Sequence, residues 1–326
     1  MLNILCIVRF YPPGSLCGSY LYLHTLLKWL QAQGHTVTVM MGENVVPYDY
    51  EGIKCVPKPL YGHPYVADAD IVFTQLDFTA LTCELVKSKP IVWFYHNHSQ
   101  YGTVKRCSDR VVVVYNSEAA QKENAYPNNR SLVLAPPVDI DFYSNSLDFG
   151  VIRNCITLIN LNEAKGGALF WKLADELPEY KFLGVKGSYG TQWSNDSRPN
   201  VEIIESQTDM REVYKRTEIL IMPSDYESWG RTATEAAASG IPVISTDTPG
   251  LRENMGEAGI YLDKRRIKEW VMTIKKLKGK KEYAEQSEKV KKRVQELRPD
   301  SKLEIFEEEI HKIAKKPFKK REYGNG

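Results

Sequence analysis

Short apolar runs alternate with helical stretches through the first half of the chain. Tyr20–Gln33 has the apolar spacing of a helix, and Gly34 is its expected end. The apolar runs between such stretches are nearly continuous, which is typical of strands buried on both faces of a parallel sheet. These predicted strands are Ile4–Phe10, Thr36–Met41, Ile71–Thr74, Ile91–Tyr95 and Val111–Tyr115.

A second series of the same kind begins after the proline pair Pro136-Pro137. Two successive series predict an α/β fold with two Rossmann-like, doubly wound domains, at 1–145 and 150–295, that face a cleft. Ligands of such sheets bind beyond the carboxyl ends of the strands. The second series of predicted strands is Ile156–Asn160, Tyr180–Val185, Val201–Ile204, Ile219–Met222 and Pro242–Ser245.

The chain after Lys264 is strongly charged and helical in pattern. Pro299 marks a break before a last helix, predicted at Leu303–Lys315. We expect this carboxyl-terminal helix, within about 300–320, to pack back on the first domain.

The bulk composition is typical of a soluble globular protein. Apolar residues make up 43% and charged residues 26% of the chain, and no run approaches the ~20 apolar residues of a membrane span. Met1–Phe10 lacks a basic leader and a cleavage site, so a strand is expected there and not a signal peptide. The six cysteines show no zinc spacing, so we expect reduced thiols, no metal site and a cytoplasmic protein.

The charge is distributed unevenly along the chain. Between Lys264 and Arg321 there are 21 Lys and Arg against 10 Asp and Glu, whereas the preceding 263 residues carry 22 against 30. This basic region suggests an anionic partner, either nucleic acid or a membrane surface such as the inner face of the cytoplasmic membrane. A solvated lysine-rich helical face is the alternative.

The most informative stretch for chemistry is Pro223–Thr246, which runs from a strand end through a loop and a helix into the next strand. The helix is predicted at Thr232–Ser239, and its first turn offers unpaired N–H groups to a phosphate. Glu227 in the loop and Glu235 on the helix lie eight positions apart. Such carboxylates can accept hydrogen bonds from hydroxyls of a sugar and a ribose.

This stretch resembles the E-x7-E motif of glycosyltransferase family 4, a family of retaining enzymes with the GT-B fold. The surrounding residues match as well: Pro223-Ser224, Gly230, Glu235-Ala236, Gly240-Ile-Pro-Val243 and Gly250-Leu-Arg-Glu253. Further likeness lies in Asn116-Ser-Glu118 and in Pro136–Phe142, so that the resemblance extends from about Ile4 to Glu253.

The resemblance implies a role for each residue of the motif. Glu227 would hold hydroxyls of the transferred sugar, and Glu235 would hold the donor ribose. Arg231 would reach the phosphates, with a surface arginine as the alternative. The segment after Glu227 would offer backbone donors to the sugar and the diphosphate. The donor-binding residues implied in this stretch are Glu227, Ser228, Trp229, Gly230, Arg231, Thr232 and Glu235.

A second block, Asn160–Gly167, is similar to the family's Gly-Arg-Leu-x-x-x-Lys-Gly element, whose two basic residues neutralise the leaving diphosphate. Lys165 and Gly166 match, and Lys165 would be both a donor contact and a catalytic residue. Asn160 stands where the family usually has arginine. One of the two basic residues is therefore missing, unless Arg231 supplies the second charge.

Two further positions belong to the first domain. Pro12–Gly18 is a glycine-containing turn between a strand and a helix, where the backbone at Gly18 can approach the donor. His96, directly after a predicted strand, fits the family's histidine that contacts the donor sugar, and His98 is the alternative. Gln75 stands where the family commonly has another histidine, and no role is carried over to it.

The resemblance implies transfer of a sugar, a hexose, from a nucleotide-diphosphate sugar to an acceptor hydroxyl with retention of configuration. The expected donor is a UDP-sugar rather than a GDP-sugar, with no cofactor and no metal. Glu227, Lys165 and His96 are the candidate catalytic residues. The expected acceptor is a saccharide or a lipid-linked molecule.

Two other interpretations stay open. DNA with hydroxylated bases would be an acceptor for the same chemistry, guided by the basic region. A GT-B protein that binds nucleotide sugars without turnover would explain Asn160. A nicotinamide-dependent dehydrogenase fits less well, because no G-x-G-x-x-G follows the first strand.

Overall fold

The structure is a computed structural model that describes residues 1–42, 46–57, 64–86, 89–96, 111–125, 129–144, 153–194 and 197–315. Within these ranges the strands form two sheets, one in each half of the chain. His98 lies outside the described residues, and its candidate role stays a prediction.

The first sheet has eight strands in the order β3-β4-β2-β1-β5-β6-β7-β8, and all neighbours pair in parallel except the β3–β4 hairpin. Its central strands are buried along nearly their whole length, which explains their continuous apolar sequences. The strands are β1 Asn3–Val8, β2 Thr36–Met41, β3 Tyr48–Tyr50, β4 Ile53–Val56, β5 Ile71–Gln75, β6 Ile91–Tyr95, β7 Val111–Tyr115 and β8 Arg130–Val133.

The helices of this half begin with α1, Gly18–Ala32, which buries an apolar stripe at helical spacing that includes Leu23, Leu26, Leu27 and Leu30. This helix starts two residues before the predicted Tyr20. A 3₁₀ turn, Leu76–Phe78, follows β5. The remaining helices are α2 Pro64–Asp68, α3 Thr79–Leu85, α4 Glu118–Glu123 and, in the connection to the second half, α5 Ile140–Ser144.

The second sheet has six parallel strands in the order β11-β10-β9-β12-β13-β14. Because β12 pairs with β9, the loops that follow these two strands open at the same edge of the sheet. The strands are β9 Cys155–Ile159, β10 Lys181–Val185, β11 Val201–Ile204, β12 Thr217–Met222, β13 Val243–Ser245 and β14 Ile260–Tyr261.

Helices cover both faces of the second sheet. Two 3₁₀ turns, Glu163–Lys165 and Gly256–Ala258, extend the loops around it. The predicted helix Thr232–Ser239 is observed as α8, one residue earlier at each end. The helices of this half are α6 Gly167–Glu176, α7 Arg211–Tyr214, α8 Arg231–Ala238, α9 Pro249–Met255, α10 Ile267–Leu277 and α11 Lys280–Glu296.

The last helix, α12 Asp300–Ala314, packs on the first sheet and not on the second. Its buried face joins the aromatic core of the first domain, where the Phe306 ring lies 6.0 Å from that of Phe73 and 6.2 Å from that of Phe94. Arg130 of β8 forms an ion pair with Glu309. The helix begins one turn before the predicted Leu303, directly after Pro299, whose ring is compatible with a helix start.

The two halves also meet through loops at the carboxyl ends of their strands. Asn116, which follows β7, donates a hydrogen bond from Nδ2 to Ser228 Oγ beyond β12 (2.8 Å). The Glu253 carboxylate of α9 accepts the backbone N–H groups of Glu118 and Ala119, at 2.8 and 2.9 Å. The strand ends of the two sheets therefore face each other.

Two sequence expectations concern thiols and membrane spans. Cys6, Cys17, Cys55 and Cys155 are free. The expectation of reduced thiols throughout is wrong at Cys83, which is disulfide-bonded, because spacing along a sequence does not show which positions meet in space. None of the described helices combines the length and the apolar character that crossing a bilayer requires.

Candidate active site

Lys165 and Glu227 form the centre of the candidate site. Lys165 ends the 3₁₀ turn after β9, and Glu227 lies in the loop after the neighbouring β12. Lys165 Nζ is 2.5 Å from Glu227 Oε1, and the same oxygen accepts a hydrogen bond from Ser224 Oγ at 2.8 Å. The structure thus brings together two of the three residues predicted to be catalytic.

The Lys165 ammonium is held in its charged form. Burial works to lower its pKa, but the charge of Glu227, together with Tyr189, outweighs that effect, and the pKa of Lys165 is raised. A permanently cationic group at the end of two parallel strands suits an anionic leaving group such as a diphosphate.

Two glycines in left-handed conformations shape the backbone beside this pair. Gly166 has φ of 90°, and a Cβ there would lie 2.4 Å from Pro223 Cγ. Gly230 has φ of 83°, and its Cβ would lie 2.6 Å from Leu251 Cδ2. Only glycine fits either position without strain, so both are needed for the close approach of the loops.

The N-terminus of α8 is left without a side-chain cap. Gly230 occupies the N-cap position and has no oxygen to offer the first N–H groups of the helix. Ser228, Trp229 and Thr232 surround this end. The Trp229 side chain is 4% exposed and donates from Nε1 to Thr234 Oγ1, so only its backbone is available to a ligand. An uncapped helix start is a ready anion site.

Glu235 lies deeper, and its carboxylate is already engaged. Only 3% of the residue is exposed. Arg231 Nε lies 2.7 Å from Glu235 Oε1, and the Tyr214 hydroxyl donates to Oε2 at 2.8 Å. A carboxylate has further acceptor positions, so a ribose hydroxyl would share Glu235 with two partners.

Arg231 contacts the first domain and the connecting segment. Its Nη1 lies 3.4 Å from Thr25 Oγ1 on α1 and 3.2 Å from the Pro137 carbonyl oxygen. Burial opposes its charge, but Glu235 and Tyr143 raise the pKa of Arg231. The guanidinium thus joins the buried Glu235 to both halves of the chain, an arrangement that the sequence did not indicate.

Asn160, at the position where the family that the motifs resemble usually has arginine, organises a loop. It adopts a left-handed φ of 70°, and its Oδ1 accepts Gln192 Nε2 at 2.9 Å and the Asn162 N–H at 3.3 Å. The backbone of Gly187 passes so close that a Cβ there would lie 2.2 Å from Asn160 Cγ. Asn160 is 7% exposed and adds no charge to the site.

His96 and Gly18 belong to the opposite domain. His96 Nε2 lies 2.8 Å from Gln75 Oε1. The ring keeps partial exposure, yet burial lowers the pKa of His96 to about 4, so the imidazole is neutral at pH 7. Gly18 is the first residue of α1, and a Cβ there would meet nothing within 4 Å, so its predicted donor contact rests on the resemblance alone.

Several contacts of the site were not predicted. Tyr214, Thr25 and Asn116 come from separate elements and become neighbours of the motif only in the folded chain. Asn254 Nδ2 ties down the loop by donating to the carbonyl oxygens of Trp229 and Gly230, each at 3.0 Å. Asn254 directly follows the quoted Gly250–Glu253 match, which was the one signal near it.

One group of possible metal ligands occurs among the described residues, on α12 and directly before β2: His35, Glu307 and His311. His35 Nδ1 accepts the Leu2 N–H at 3.2 Å, so its Nε2 carries the hydrogen that faces Glu307 at 2.9 Å. A ring nitrogen that carries hydrogen is not a free metal ligand, and the arrangement favours a structural hydrogen-bond chain.

Comparison with known proteins shows what the sequence around this site is similar to. Residues 194–296 match the family model described as Glycosyl transferases group 1. A D-inositol 3-phosphate glycosyltransferase of Mycobacterium sp. (strain KMS) is 26% identical over 198 residues, which are 52% of this chain and 45% of the relative. The aligned segments span between 15% and 45% of the length of such curated relatives.

Solved structures extend the likeness over nearly the whole chain. Anabaena Alr3699/HepE in complex with UDP and glucose superimposes with a TM-score of 0.75 at 15% identity, and the match covers 96% of this chain and 100% of that one. An alpha-glucosyltransferase in complex with UDP and a 13-mer DNA containing a HMU base has a TM-score of 0.69 at 16% identity, covering 96% and 99%.

These findings confirm the predicted GT-B fold, and they place a Glycosyl transferases group 1 domain at residues 194–296. Membership of family 4 in particular stays a prediction.

Proposed function

We propose that the protein is a retaining glycosyltransferase that moves a hexose from a nucleotide-diphosphate sugar to an acceptor hydroxyl. The observation that carries the proposal is the cationic Lys165, paired with Glu227 (Nζ–Oε1 2.5 Å) in the loops beside the uncapped start of α8. Cation and helix N-terminus suit a diphosphate, and the carboxylate suits sugar hydroxyls. The donor we favour is a UDP-sugar, in line with the UDP bound by the Anabaena structure.

The proposed reaction is a front-face substitution. The bond between the sugar and the diphosphate breaks, Lys165 and the N–H groups of α8 stabilise the departing charge, and the diphosphate takes the proton of the attacking hydroxyl. Glu227 and His96 position the sugar, and Glu235 positions the ribose. Arg231 contributes by holding Glu235.

No metal is part of this scheme, in which Lys165 and the N–H groups at the start of α8 would stabilise the diphosphate. We expect turnover to persist in the presence of a chelator. Complete loss of activity in chelator, restored by a divalent cation, would contradict this part of the proposal.

The proposed acceptor is a saccharide or a lipid-linked molecule, handled by a cytoplasmic protein whose basic region lies against an anionic membrane surface. Within the described residues, exposed lysines of that region include Lys268, Lys276, Lys280 and Lys292. Hydroxylated DNA is the second acceptor candidate, motivated by the DNA-bound neighbour. Pelleting with anionic vesicles and gel shift with modified duplex, each against salt, separate the two.

The donor is identified by calorimetric titration of UDP-, GDP-, ADP- and dTDP-linked sugars. We expect one nucleotide class to bind, and Lys165→Met and Glu235→Ala to weaken it about tenfold or more, the effect of a lost charge-assisted hydrogen bond of roughly 1.5–3 kcal/mol. Glu205→Ala is the control, because this exposed carboxylate pairs with Lys186 on the surface. Absence of binding by every donor would sink the proposal.

A non-catalytic sugar-nucleotide binder is a second candidate, and Asn160 is the observation that favours it. Asn160 organises a loop and adds no positive charge beside Lys165. Tight donor binding without turnover toward acceptors or water would support this candidate.

A further inference from the structure

Gln75 and His96 lie side by side at the carboxyl ends of neighbouring parallel strands. Gln75 is the last residue of β5, in register with Phe94, and His96 directly follows β6. His96 Nε2 is 2.8 Å from Gln75 Oε1. Gln75 is only 1% exposed, and its Nε2 has no hydrogen-bond partner among the described residues. The side-chain amide of Gln75 thus directs its oxygen toward His96, although its own NH₂ group is buried and unpaired.

This contact determines which ring nitrogen carries the hydrogen. An amide oxygen only accepts hydrogen bonds, so His96 Nε2 must be the donor. In the neutral ring the other nitrogen, Nδ1, then has a free lone pair and only accepts. With the amide reversed, its NH₂ group would face Nε2, the hydrogen would move to Nδ1, and Nδ1 would become a donor. The side chain at position 75 therefore determines whether Nδ1 of His96 donates or accepts a hydrogen bond.

The ring is also fixed in orientation. Tyr22 packs edge-on against His96, with ring centroids 5.6 Å apart and an interplanar angle of 84°. Tyr22 is itself tethered, because its hydroxyl donates to the Leu134 carbonyl oxygen at 2.8 Å. Since a glutamine does not titrate, the tautomer that it imposes on the His96 ring does not change with pH near neutrality.

We propose that Gln75 is a positioning residue that holds His96 in the Nε2–H tautomer, so that Nδ1 accepts a hydroxyl hydrogen of the ligand. The identity of that hydroxyl, one on the donor sugar, rests on the proposed function. The tautomer itself does not, because it is a property of the free protein.

The test is long-range ¹H–¹⁵N correlation NMR on the full chain labelled at histidine. This spectrum distinguishes the protonated from the bare ring nitrogen, and the His96→Gln variant assigns the signal. We expect the Nε2–H tautomer to predominate in the wild type at pH 7. Gln75→Leu should give a mixture of tautomers, and Gln31→Leu, which removes an amide bonded to Gly52 and remote from His96, should change nothing.

Gln75→Glu supplies the conservative variant. Its carboxylate accepts from Nε2–H, so the tautomer should be kept, while the negative charge should raise the pKa of His96 by about one unit or more. The measurement on Gln75→Glu tests the proposal even if the Gln75→Leu variant folds poorly. A predominant Nδ1–H tautomer in the wild type, or the same tautomer in Gln75→Leu, would overturn the proposal.

Addition of the donor sugar nucleotide then separates the two proposals. Donor binding that is weakened in Gln75→Leu and kept in Gln75→Glu supports both. A correct tautomer with no donor response leaves Gln75 as the positioning residue and counts against the proposed function.

Discussion

At the scale of single residues, the Lys165–Glu227 pair lies between a surface and a buried ion pair, with side chains 20% and 12% exposed. Removing one partner leaves the other charge poorly solvated and without its counter-ion. Removing both leaves no such charge. The pair is therefore expected to stabilise the fold as well as to bind ligand.

We predict that Lys165→Met and Glu227→Gln each lower the free energy of unfolding by about 3 kcal/mol. The double variant should lose clearly less than the sum of the two. Chemical denaturation of the four proteins measures the coupling, and additive losses would show that the two side chains do not depend on each other.

The lowered pKa of His96 predicts a pH dependence of stability. Burial lowers that pKa to about 4, whereas an unfolded histidine titrates near ~6.5. Between these values the unfolded chain binds more protons, so stability is complete above about pH 6.5 and falls as the pH drops toward 4.

Wild type should therefore lose on the order of 3 kcal/mol relative to His96→Gln between pH 7 and pH 4. The comparison of two proteins matters, because burial also lowers the pKa values of His24 and His311. The contributions of those two histidines to the pH dependence of stability are the same in both proteins and cancel in the comparison. Parallel stability curves for the two proteins would be the contrary result.

At the scale of elements, the entry into α8 depends on a glycine that combines two constraints. Gly230 needs a left-handed φ of 83°, and it also needs space beside Leu251. Gly34 has a similar φ of 90° but nothing within 4 Å of a Cβ. The two positions thus separate backbone strain from crowding.

We predict a loss of about 1–2 kcal/mol for Gly34→Ala, the cost of the left-handed backbone alone. Gly230→Ala should lose about 1–3 kcal/mol more, because Leu251 must move, and it should also weaken donor binding. Thermal unfolding and calorimetry report the two effects. Equal losses would mean that the contact with Leu251 relaxes freely.

Three of the four strands whose two ends the sequence predicted correctly are buried along nearly their whole length, and the fourth, Val201–Ile204, is a partly exposed edge strand. Thr36–Met41, Ile91–Tyr95, Val111–Tyr115 and Val201–Ile204 agree with the structure at both ends. Four strands were missed: β3, β4, β8 and β14. They are short, and β3, β8 and β14 lie at or near sheet edges with partial exposure, so they lack a continuous apolar run.

For the candidate site, the residues of each loop were recognisable but their partners were not. Lys165 meets Glu227 because β9 and β12 are neighbours in the sheet, although two strands separate them in sequence. Arg231 precedes Glu235 by four positions on α8, a spacing at which helical side chains meet. The contact of Tyr214 with Glu235 instead depends on the packing of α7 against α8, about which a local pattern holds no information.

At the scale of the whole molecule, the two domains are joined near the site by Glu253. Its two carboxylate oxygens accept backbone N–H groups at the start of α4, across the boundary between the halves. Hydrogen bonds to a charged acceptor at a helix N-terminus are among the stronger surface contacts.

Glu253→Ala should allow the domains to separate, and small-angle scattering of the free protein should show a larger radius of gyration. Glu257→Ala, an exposed carboxylate just after α9, is the matched control. The expected contribution of the Glu253 contact is on the order of 2 kcal/mol. An unchanged radius in Glu253→Ala would show that other contacts hold the domains in place.

The packing of α12 on the first sheet has a consequence for how the chain is made. Phe306 fills the core beside Phe73 and Phe94, yet the whole second domain is synthesised between them. During synthesis on the ribosome, part of the apolar surface of the first sheet stays uncovered until α12 emerges. The second domain thus completes its core before the first domain does, and the uncovered first sheet is the part of the nascent chain that we expect a chaperone to bind.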